Sequence, residues 1–318
     1  MEKILETKDL NVMFENKDLK TYAVNGISFD VYENESLGIV GESGSGKSVT
    51  AKAIMNLLDK NAKINGKVTY KERDLLKLDD IELRKIRGDE ISMIFQDPMT
   101  SLNPLFKIKT QMKRLIKIHR KNINNKEIEE LSIKYLEMVG ITDANTRINS
   151  YPHEFSGGMR QRVMIAMGLC LNPEIIIADE PTTALDVTIQ AQVLNLLNNI
   201  KEDNSNTLIL ITHDLGVVAN TCDRVLVMYG GRIMEIGSVL DIFNNPKHPY
   251  TRGLLNSLPV MGIDKRLESI DGNPPVIHEK LIGCPFYDRC DKRIDICQKE
   301  DPQQTDINDG HKVYCHLY

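Results

Sequence analysis

One segment of the chain has the residue types and spacing of a phosphate-binding loop. Residues 41–48 read Gly-Glu-Ser-Gly-Ser-Gly-Lys-Ser and fit the pattern G-x-x-x-x-G-K-[ST]. The glycines let backbone N–H groups turn inward as a concave anion site, and the positive end of the following helix favours an anion there. We expect Lys47 to reach the outer phosphates of a nucleoside triphosphate and Ser48 to ligate Mg²⁺. The predicted nucleotide contacts are Gly41, Ser43, Gly44, Ser45, Gly46, Lys47, Ser48 and Val49.

Two carboxylates follow the apolar run at residues 175–178. Asp179 suits the Mg²⁺ shell, directly or through water, and Glu180 is placed to orient or deprotonate an attacking water. Adjacent acids at a strand end are a weak signal alone. Together with the phosphate loop, about 130 residues upstream, they predict a nucleotide hydrolase.

Two further polar residues follow apolar runs that we predict to be strands. Gln96 follows residues 91–95 and can reach a metal ion or the attacking water. His213 follows residues 208–211 and can contact a γ-phosphate, although a histidine at a strand end is more often structural. The predicted catalytic residues are Glu180, His213 and Gln96, and the predicted Mg²⁺ ligands are Ser48, Gln96 and Asp179.

These residues need strands that end at one edge of a sheet. The apolar runs predict strands at residues 27–31, 37–40, 91–95, 175–178, 208–211 and 225–228. Helical spacing predicts helices at residues 47–58, 107–119, 126–139 and 157–171, with a helical insertion over residues 105–150. This alternation indicates an α/β fold with a mainly parallel sheet, which binds ligands at the carboxyl ends of its strands.

Composition limits the classes of function. The chain has 318 residues, a net charge of -5, 5% aromatic residues and no Trp, which argues against a nucleic-acid partner. The amino end does not read as a signal peptide, and the apolar runs are too short to cross a bilayer. We therefore expect a cytoplasmic chain whose membrane role, if it has one, comes through partners.

Residues 155–162, Phe-Ser-Gly-Gly-Met-Arg-Gln-Arg, resemble the signature motif of ATP-binding subunits of ABC transporters. Gln96 then matches that family's Q-loop, residues 184–186 its D-loop and His213 its switch histidine. The resemblance covers residues 1–237. It implies a P-loop NTPase core of the ABC ATPase type over residues 1–237, with a helical subdomain at about residues 97–160.

The resemblance also implies a role for the signature motif. In this family two subunits stack head to tail, so Ser156, Gly157 and Gly158 would contact the ATP held by a second subunit. The same three residues also read as an N-capped helix start. Met159 stands where the family usually has Gln, and the Met form resembles one of the paired subunits of peptide importers. For the aromatic stacked on adenine we prefer Tyr22 over Phe14, and either is compatible with ordinary core packing.

The C-terminal extension, residues 238–318, carries a cysteine set. Residues 248–255 resemble the C-terminal region of di- and oligopeptide permease ATPases, a pattern that nickel and metallophore importers share. Four cysteines follow with the spacing C-x5-C-x6-C-x17-C, namely Cys284, Cys290, Cys297 and Cys315. In the peptide-permease subfamily such a tail resembles a [4Fe–4S] site, while zinc and free thiols stay open as alternatives.

The other cysteines and the nearby histidines have simpler interpretations. Cys170 and Cys222 lie in apolar stretches and are expected to be core thiols. His311 and His316 flank Cys315 and are possible ligands, but we expect both in solvent.

The resemblance implies the ATP-hydrolysing motor subunit of a di- or oligopeptide importer, at the cytoplasmic face of the membrane. Its expected partners are a second homologous ATPase subunit, two transmembrane permeases and an extracytoplasmic binding protein. The alternatives are the ATPase of a nickel or metallophore importer, a non-transport ABC ATPase, and a regulatory ATP sensor. Intact Glu180 and His213 argue against the sensor.

Overall fold

The computed structural model describes residues 2–16, 19–97, 101–182, 187–204, 206–258 and 270–318. The chain divides into two compact units: unit 1 comprises Met1–Leu78 and Leu210–Tyr318, and unit 2 comprises Asp79–Ile209. The domain boundary predicted between residues 237 and 238 falls inside unit 1 and stays a prediction. The predicted D-loop, residues 184–186, lies outside the described residues.

Unit 1 contains a four-stranded antiparallel sheet. Its strands are β1 (Lys3–Asn16), β2 (Leu19–Tyr32), β4 (Ala62–Tyr70) and β5 (Arg73–Asp74), in the order β2-β1-β4-β5. The predicted strand at residues 27–31 is part of β2. β1 was not predicted from the sequence, because this strand is irregular. Its register with β2 shifts between Thr7 and Leu10, where Asp9 has a φ of 44°.

A second sheet in unit 1 carries the phosphate loop. Its strands follow the order β11 (Gln304–Asn308), β12 (His311–Tyr314), β10 (Arg232–Ser238), β9 (Arg224–Tyr229), β3 (Ser36–Val40). β3 is buried throughout and pairs in parallel with β9, as its continuous apolar run predicts. β12 pairs with β10, so the C-terminal extension supplies strands to the same sheet as the loop.

The helices of unit 1 are α1 (Lys47–Ile54), α8 (Leu215–Thr221), α9 (Val239–Asn244), α10 (Pro249–Asn256) and α11 (Ile296–Lys299). α1 ends at Ile54, four residues before the predicted end at residue 58. The helix stops because Asn56 takes a left-handed φ of 49°, which does not continue a right-handed helix. Tyr229, Tyr250 and Phe286 form a shared aromatic core, with ring centroids 4.6 Å apart for the two tyrosines. The C-terminal extension is therefore packed into the core of this unit.

In unit 2, β6 (Ile91–Ile94) pairs in parallel with β7 (Ile175–Asp179). Its helices are α2 (Asp80–Ile86), α3 (Ile108–His119), α4 (Asn125–Met138), α5 (Ala144–Arg147), α6 (Gly157–Leu169) and α7 (Val187–Asn204). The bounds of α3 and α4 confirm the helices predicted at residues 107–119 and 126–139, and their grouping as a helical insertion stays a prediction. α4 begins where Asn124 and Glu127 form a capping box, a pattern visible in the sequence. Strand β8 (Thr207–Thr212) spans the division between the units.

Candidate active site

The phosphate loop joins β3 to α1, as predicted. Gly46 is the N-cap of α1 with φ 100°, and a Cβ at this position would lie 2.4 Å from the Ala23 carbonyl oxygen. Only glycine therefore fits. Because Gly46 has no side chain, the cap places no side-chain oxygen at the start of α1, where helix N–H groups and the helix dipole favour an anion.

Lys47 and Ser45 supply donor groups that could bind an anion at this loop. Lys47 is 5% exposed, and its Nζ donates to the carbonyl oxygens of Gly41 at 2.8 Å and Glu42 at 2.9 Å. The Ser45 hydroxyl is buried and has no hydrogen-bond partner within the described parts of the chain. A buried ammonium held by neutral carbonyls and a buried hydroxyl without a partner both fit a phosphate ligand.

In unit 2 the structure brings two of the predicted catalytic residues together. Asp179, 2% exposed, is the last residue of β7. Glu180 follows with a left-handed φ of 45°, which is strained for a residue with a side chain. The Gln96 side-chain amide donates to Glu180 Oε2 at 2.9 Å. Gln96 therefore holds the carboxylate proposed as the base, an arrangement that the sequence did not predict.

The signature segment is an N-capped helix start, as predicted. The Ser156 hydroxyl accepts a hydrogen bond from the Met159 N–H at 3.3 Å, and α6 begins at Gly157. Ser156 and Gly157 are exposed, and a Cβ on Gly157 would meet no atom within 4 Å among the described residues. This helix end thus presents a surface that another molecule can approach closely.

Gln161 in the same helix also supports the site, and the sequence did not predict this role. Its side chain is 1% exposed and donates from Nε2 to the Pro181 carbonyl oxygen at 2.8 Å. The bond anchors the residue directly after Glu180. A polar residue in a helix ordinarily suggests a solvated face, so no local signal marked it.

The roles predicted for His213 and Tyr22 stay predictions. His213 directly follows β8 and is exposed. Tyr22 lines a cavity of about 740 Å³ in unit 1, and no residue of the phosphate loop lines that cavity. Phe14 lies opposite Thr21, partly buried, so the choice of the adenine-stacking residue stays open.

The four tail cysteines converge in space. Cys284, Cys290, Cys297 and Cys315 line one cavity of about 10 Å³. Burial raises the pKa of the Cys284 thiol to about 12 and also raises the pKa of Cys290 and Cys315. None of the six cysteines forms a disulfide. Within the described ranges, no group of three or more His, Cys, Asp or Glu side chains is arranged to hold a metal ion.

The expectation that His311 lies in solvent is wrong. The pairing of β12 with β10 buries it completely, with Nε2 2.7 Å from Glu235 Oε1. His316 is partly buried and contacts the Glu300 carbonyl oxygen at 2.9 Å.

Cys170 is a core thiol, as expected, whereas Cys222 is only partly buried. Cys170 is fully buried, and burial raises the pKa of its thiol to about 12. Cys222 packs against the core of unit 1.

Across the described residues, no helix is both long and apolar enough to cross a membrane. Two family models match the chain: residues 24–183 match "ABC transporter" and residues 234–297 match "Oligopeptide/dipeptide transporter, C-terminal region".

The chain is similar over most or all of its length to two peptide transport ATP-binding proteins. It is 49% identical over 320 residues to the dipeptide transport ATP-binding protein DppD of Bacillus subtilis (strain 168), covering 100% of this chain and 95% of that protein. It is 50% identical over 300 residues to the oligopeptide transport ATP-binding protein OppD of Escherichia coli (strain K12), covering 94% and 89%. A dimeric structure of the ATP-binding cassette MJ0796 bound to ADP and Pi matches with a TM-score of 0.67, 30% identity and coverage of 74% and 98%.

Proposed function

The chain belongs to the ABC transporter family, and from this premise we propose that it is the ATP-hydrolysing subunit of an importer of di- or oligopeptides. The match of residues 234–297 to the C-terminal region of oligopeptide and dipeptide transporters carries the choice of cargo. Two relatives at about half identity are themselves named as peptide transport ATP-binding proteins. The match to the first of these relatives covers the whole chain, including the C-terminal residues that resemble peptide transporters.

The phosphate loop would bind the triphosphate. Its backbone N–H groups, the Lys47 ammonium and the Ser45 hydroxyl supply the donors. Mg²⁺ would be held by Ser48, Asp179 and Gln96, whose oxygens suit a hard cation, and the ion would neutralise charge on the phosphates. The buried Asp179 fits that role by its chemistry, since carboxylate oxygens are ligands that Mg²⁺ prefers.

Glu180 would accept the proton of the attacking water, with Gln96 fixing the orientation of its carboxylate. His213 would contact the γ-phosphate, and Tyr22 would stack on the adenine. Ser156, Gly157 and Gly158 would close over the ATP of a second, homologous subunit, since a capped helix start offers N–H groups to an anion. Two permeases and an extracytoplasmic binding protein would complete the importer, with this chain peripheral at the cytoplasmic face.

The test is ATP hydrolysis and cargo uptake by the reconstituted importer. Peptide-loaded binding protein should stimulate hydrolysis, and Glu180→Gln should lower it at least about 100-fold while ATP stays bound, because a general base contributes about 10²–10⁴-fold. The matched control is Glu174→Gln, an exposed acid directly before β7, which should keep the wild-type rate. Wild-type hydrolysis by Glu180→Gln would refute the role of the base. Stimulation by a nickel chelate and not by peptide would favour the metallophore alternative.

We propose further that the four tail cysteines hold a [4Fe–4S] cluster. Four thiols on one cavity are the donor set that such a cluster needs, although the cavity of about 10 Å³ must widen to admit it. His248 supports this assignment. It lines the same cavity, its Nδ1 accepts from the Tyr250 N–H at 3.0 Å, and its buried Nε2 has no partner in the described chain. The ring therefore carries its proton on Nε2, a donor suited to a thiolate or sulfide.

Iron and acid-labile sulfide on anaerobically purified full-length chain test this proposal. We expect about four irons per chain, lost in Cys290→Ser and retained in Cys222→Ser, because a [4Fe–4S] cluster is held by four thiolates. Zinc alone, or no metal at all, would overturn it.

A further inference from the structure

We propose that the C-terminal extension positions the phosphate loop through Glu42, with Arg289 and Tyr250 as the positioning residues for nucleotide binding. The inference rests on the proposed nucleotide site at the loop. It assigns to the extension a function separate from any cluster that it holds.

Glu42, the second residue of the loop, is held at its carboxylate and at its backbone. Its carboxylate accepts from Arg289 Nη1 at 2.6 Å and from Arg289 Nη2 at 3.0 Å, a two-point pairing. Its backbone N–H donates to the Tyr250 hydroxyl at 2.9 Å. Its carbonyl accepts from Lys47 Nζ at 2.9 Å. The loop residue next to Gly41 is thus fixed by two residues of the extension.

Arg289 is itself rigid. Its side chain is 7% exposed and also donates to the carbonyl oxygens of Asp271 at 2.8 Å and Ile270 at 3.0 Å, and to the Tyr229 hydroxyl at 3.1 Å. The guanidinium is therefore anchored on the extension and on β9 before it reaches Glu42. A pre-organised arginine fork loses little entropy when it binds a carboxylate.

Tyr250 is equally fixed. It is fully buried, and its ring centroid lies 4.6 Å from that of Tyr229 and 5.2 Å from that of Phe286. Its hydroxyl cannot leave Glu42 without disturbing this core. Phe286 and Arg289 both lie between Cys284 and Cys290, so one short segment carries the cysteine-lined cavity and the contacts to the loop.

These contacts matter for an anion site for two reasons. An unpaired Glu42 carboxylate would add a negative charge beside the triphosphate, and Arg289 neutralises it. In addition, a loop that cradles phosphate with backbone N–H groups binds more tightly when its geometry is set in advance. Both effects act on nucleotide affinity and leave the hydrolytic residues untouched.

The test is Mg-ATP binding to the full-length chain by isothermal titration, together with the thermal midpoint. Arg289→Gln should weaken binding about ten-fold, equivalent to about 1.4 kcal/mol. In the assembled importer, KM for ATP should rise while kcat changes little. Tyr250→Phe keeps the ring and loses only the hydroxyl, so it should weaken binding without unfolding the unit.

Arg232→Gln is the matched control. Arg232 also ties the extension to the sheet, donating to Gly283 O at 3.0 Å, Leu281 O at 3.1 Å and Asp301 Oδ2 at 2.9 Å, but its bonds do not reach the loop. It should lower the thermal midpoint and keep the ATP affinity within two-fold. In a Glu42→Gln background, adding Arg289→Gln should weaken binding less than two-fold further.

Wild-type affinity in both Arg289→Gln and Tyr250→Phe would overturn the inference, and so would an equal loss in Arg232→Gln. If the wild-type chain itself binds no ATP, the proposed function fails first and this inference falls with it. The two failures are thus distinguishable by the wild-type titration alone.

Discussion

The buried carboxylate of Glu235 makes a quantitative prediction about stability. Glu235 lies in β10 and is 0% exposed. It accepts three hydrogen bonds, from the Lys247 N–H at 2.7 Å, the His248 N–H at 2.9 Å and His311 Nε2 at 2.7 Å. Two of these donors precede α10 and the third lies in β12. One carboxylate therefore joins three segments of unit 1.

Glu235→Gln keeps the shape of the side chain and changes one oxygen into an NH₂ group. Oε1 faces Lys247 and His311, and Oε2 faces the His248 N–H. Wherever the NH₂ group lies, it therefore opposes an N–H donor. The loss of charge-assisted hydrogen bonds and the stranded donor should lower the free energy of unfolding by about 3–5 kcal/mol.

Glu6→Gln is the matched control. The Glu6 carboxylate also has close partners, Lys3 Nζ at 2.6 Å and Lys8 Nζ at 2.8 Å, but both lysines are exposed. Their proximity lowers the pKa of Glu6 to about 2, yet a pair in solvent is worth less than about 1 kcal/mol. The two substitutions are chemically identical, so their difference reports what the buried donors of Glu235 contribute beyond an exposed ion pair.

Urea denaturation midpoints with unchanged slopes measure both losses. Hydrogen exchange at the amides of Lys247 and His248 localises the effect, and both amides should exchange faster in Glu235→Gln only. Equal losses for Glu235→Gln and Glu6→Gln would refute the reasoning, because the buried hydrogen bonds would then add nothing.

Three further predictions concern single residues. Gly46→Ala places a Cβ against the Ala23 carbonyl, so ATP affinity should fall at least about ten-fold with circular dichroism unchanged, and near-wild-type affinity would contradict the strain argument. Gln161→Leu removes the donor to Pro181, so hydrolysis should fall about ten-fold at preserved ATP affinity, and an unchanged rate would exclude a positioning role. Because burial raises the pKa of Cys170 to about 12, iodoacetamide at about pH 9 should alkylate it only in denaturant, and labelling of the folded chain, read by mass spectrometry, would disprove its protection.

The sequence predicts those features of the structure that depend only on residues close together in the chain. The phosphate loop, the capped start of α6 and the bounds of α3 and α4 all follow from patterns a few residues long. The antiparallel sheet did not follow, because bulges in β1 break the alternation that marks a strand.

Contacts between distant residues could not be predicted. The sequence alone suggests that Gln161 is a surface residue, because only the fold brings the Pro181 carbonyl within hydrogen-bond distance of it. His311 reads as a solvated histidine until β12 joins β10 and buries it against Glu235. Glu42 is a variable position in the loop pattern, and nothing local connects it with Arg289 near the other end of the chain.

These long-range contacts share one feature, which concerns the role of the extension. Glu235 and Glu42 both precede residue 238, and both of their carboxylates accept hydrogen bonds from residues beyond position 245. Without those partners, Glu235 would be left without its donors and Glu42 would carry an uncompensated charge beside an anion site. The extension thus supplies hydrogen-bond donors to both of these carboxylates in unit 1. A role in stability and nucleotide affinity follows from these contacts whatever the cysteines bind.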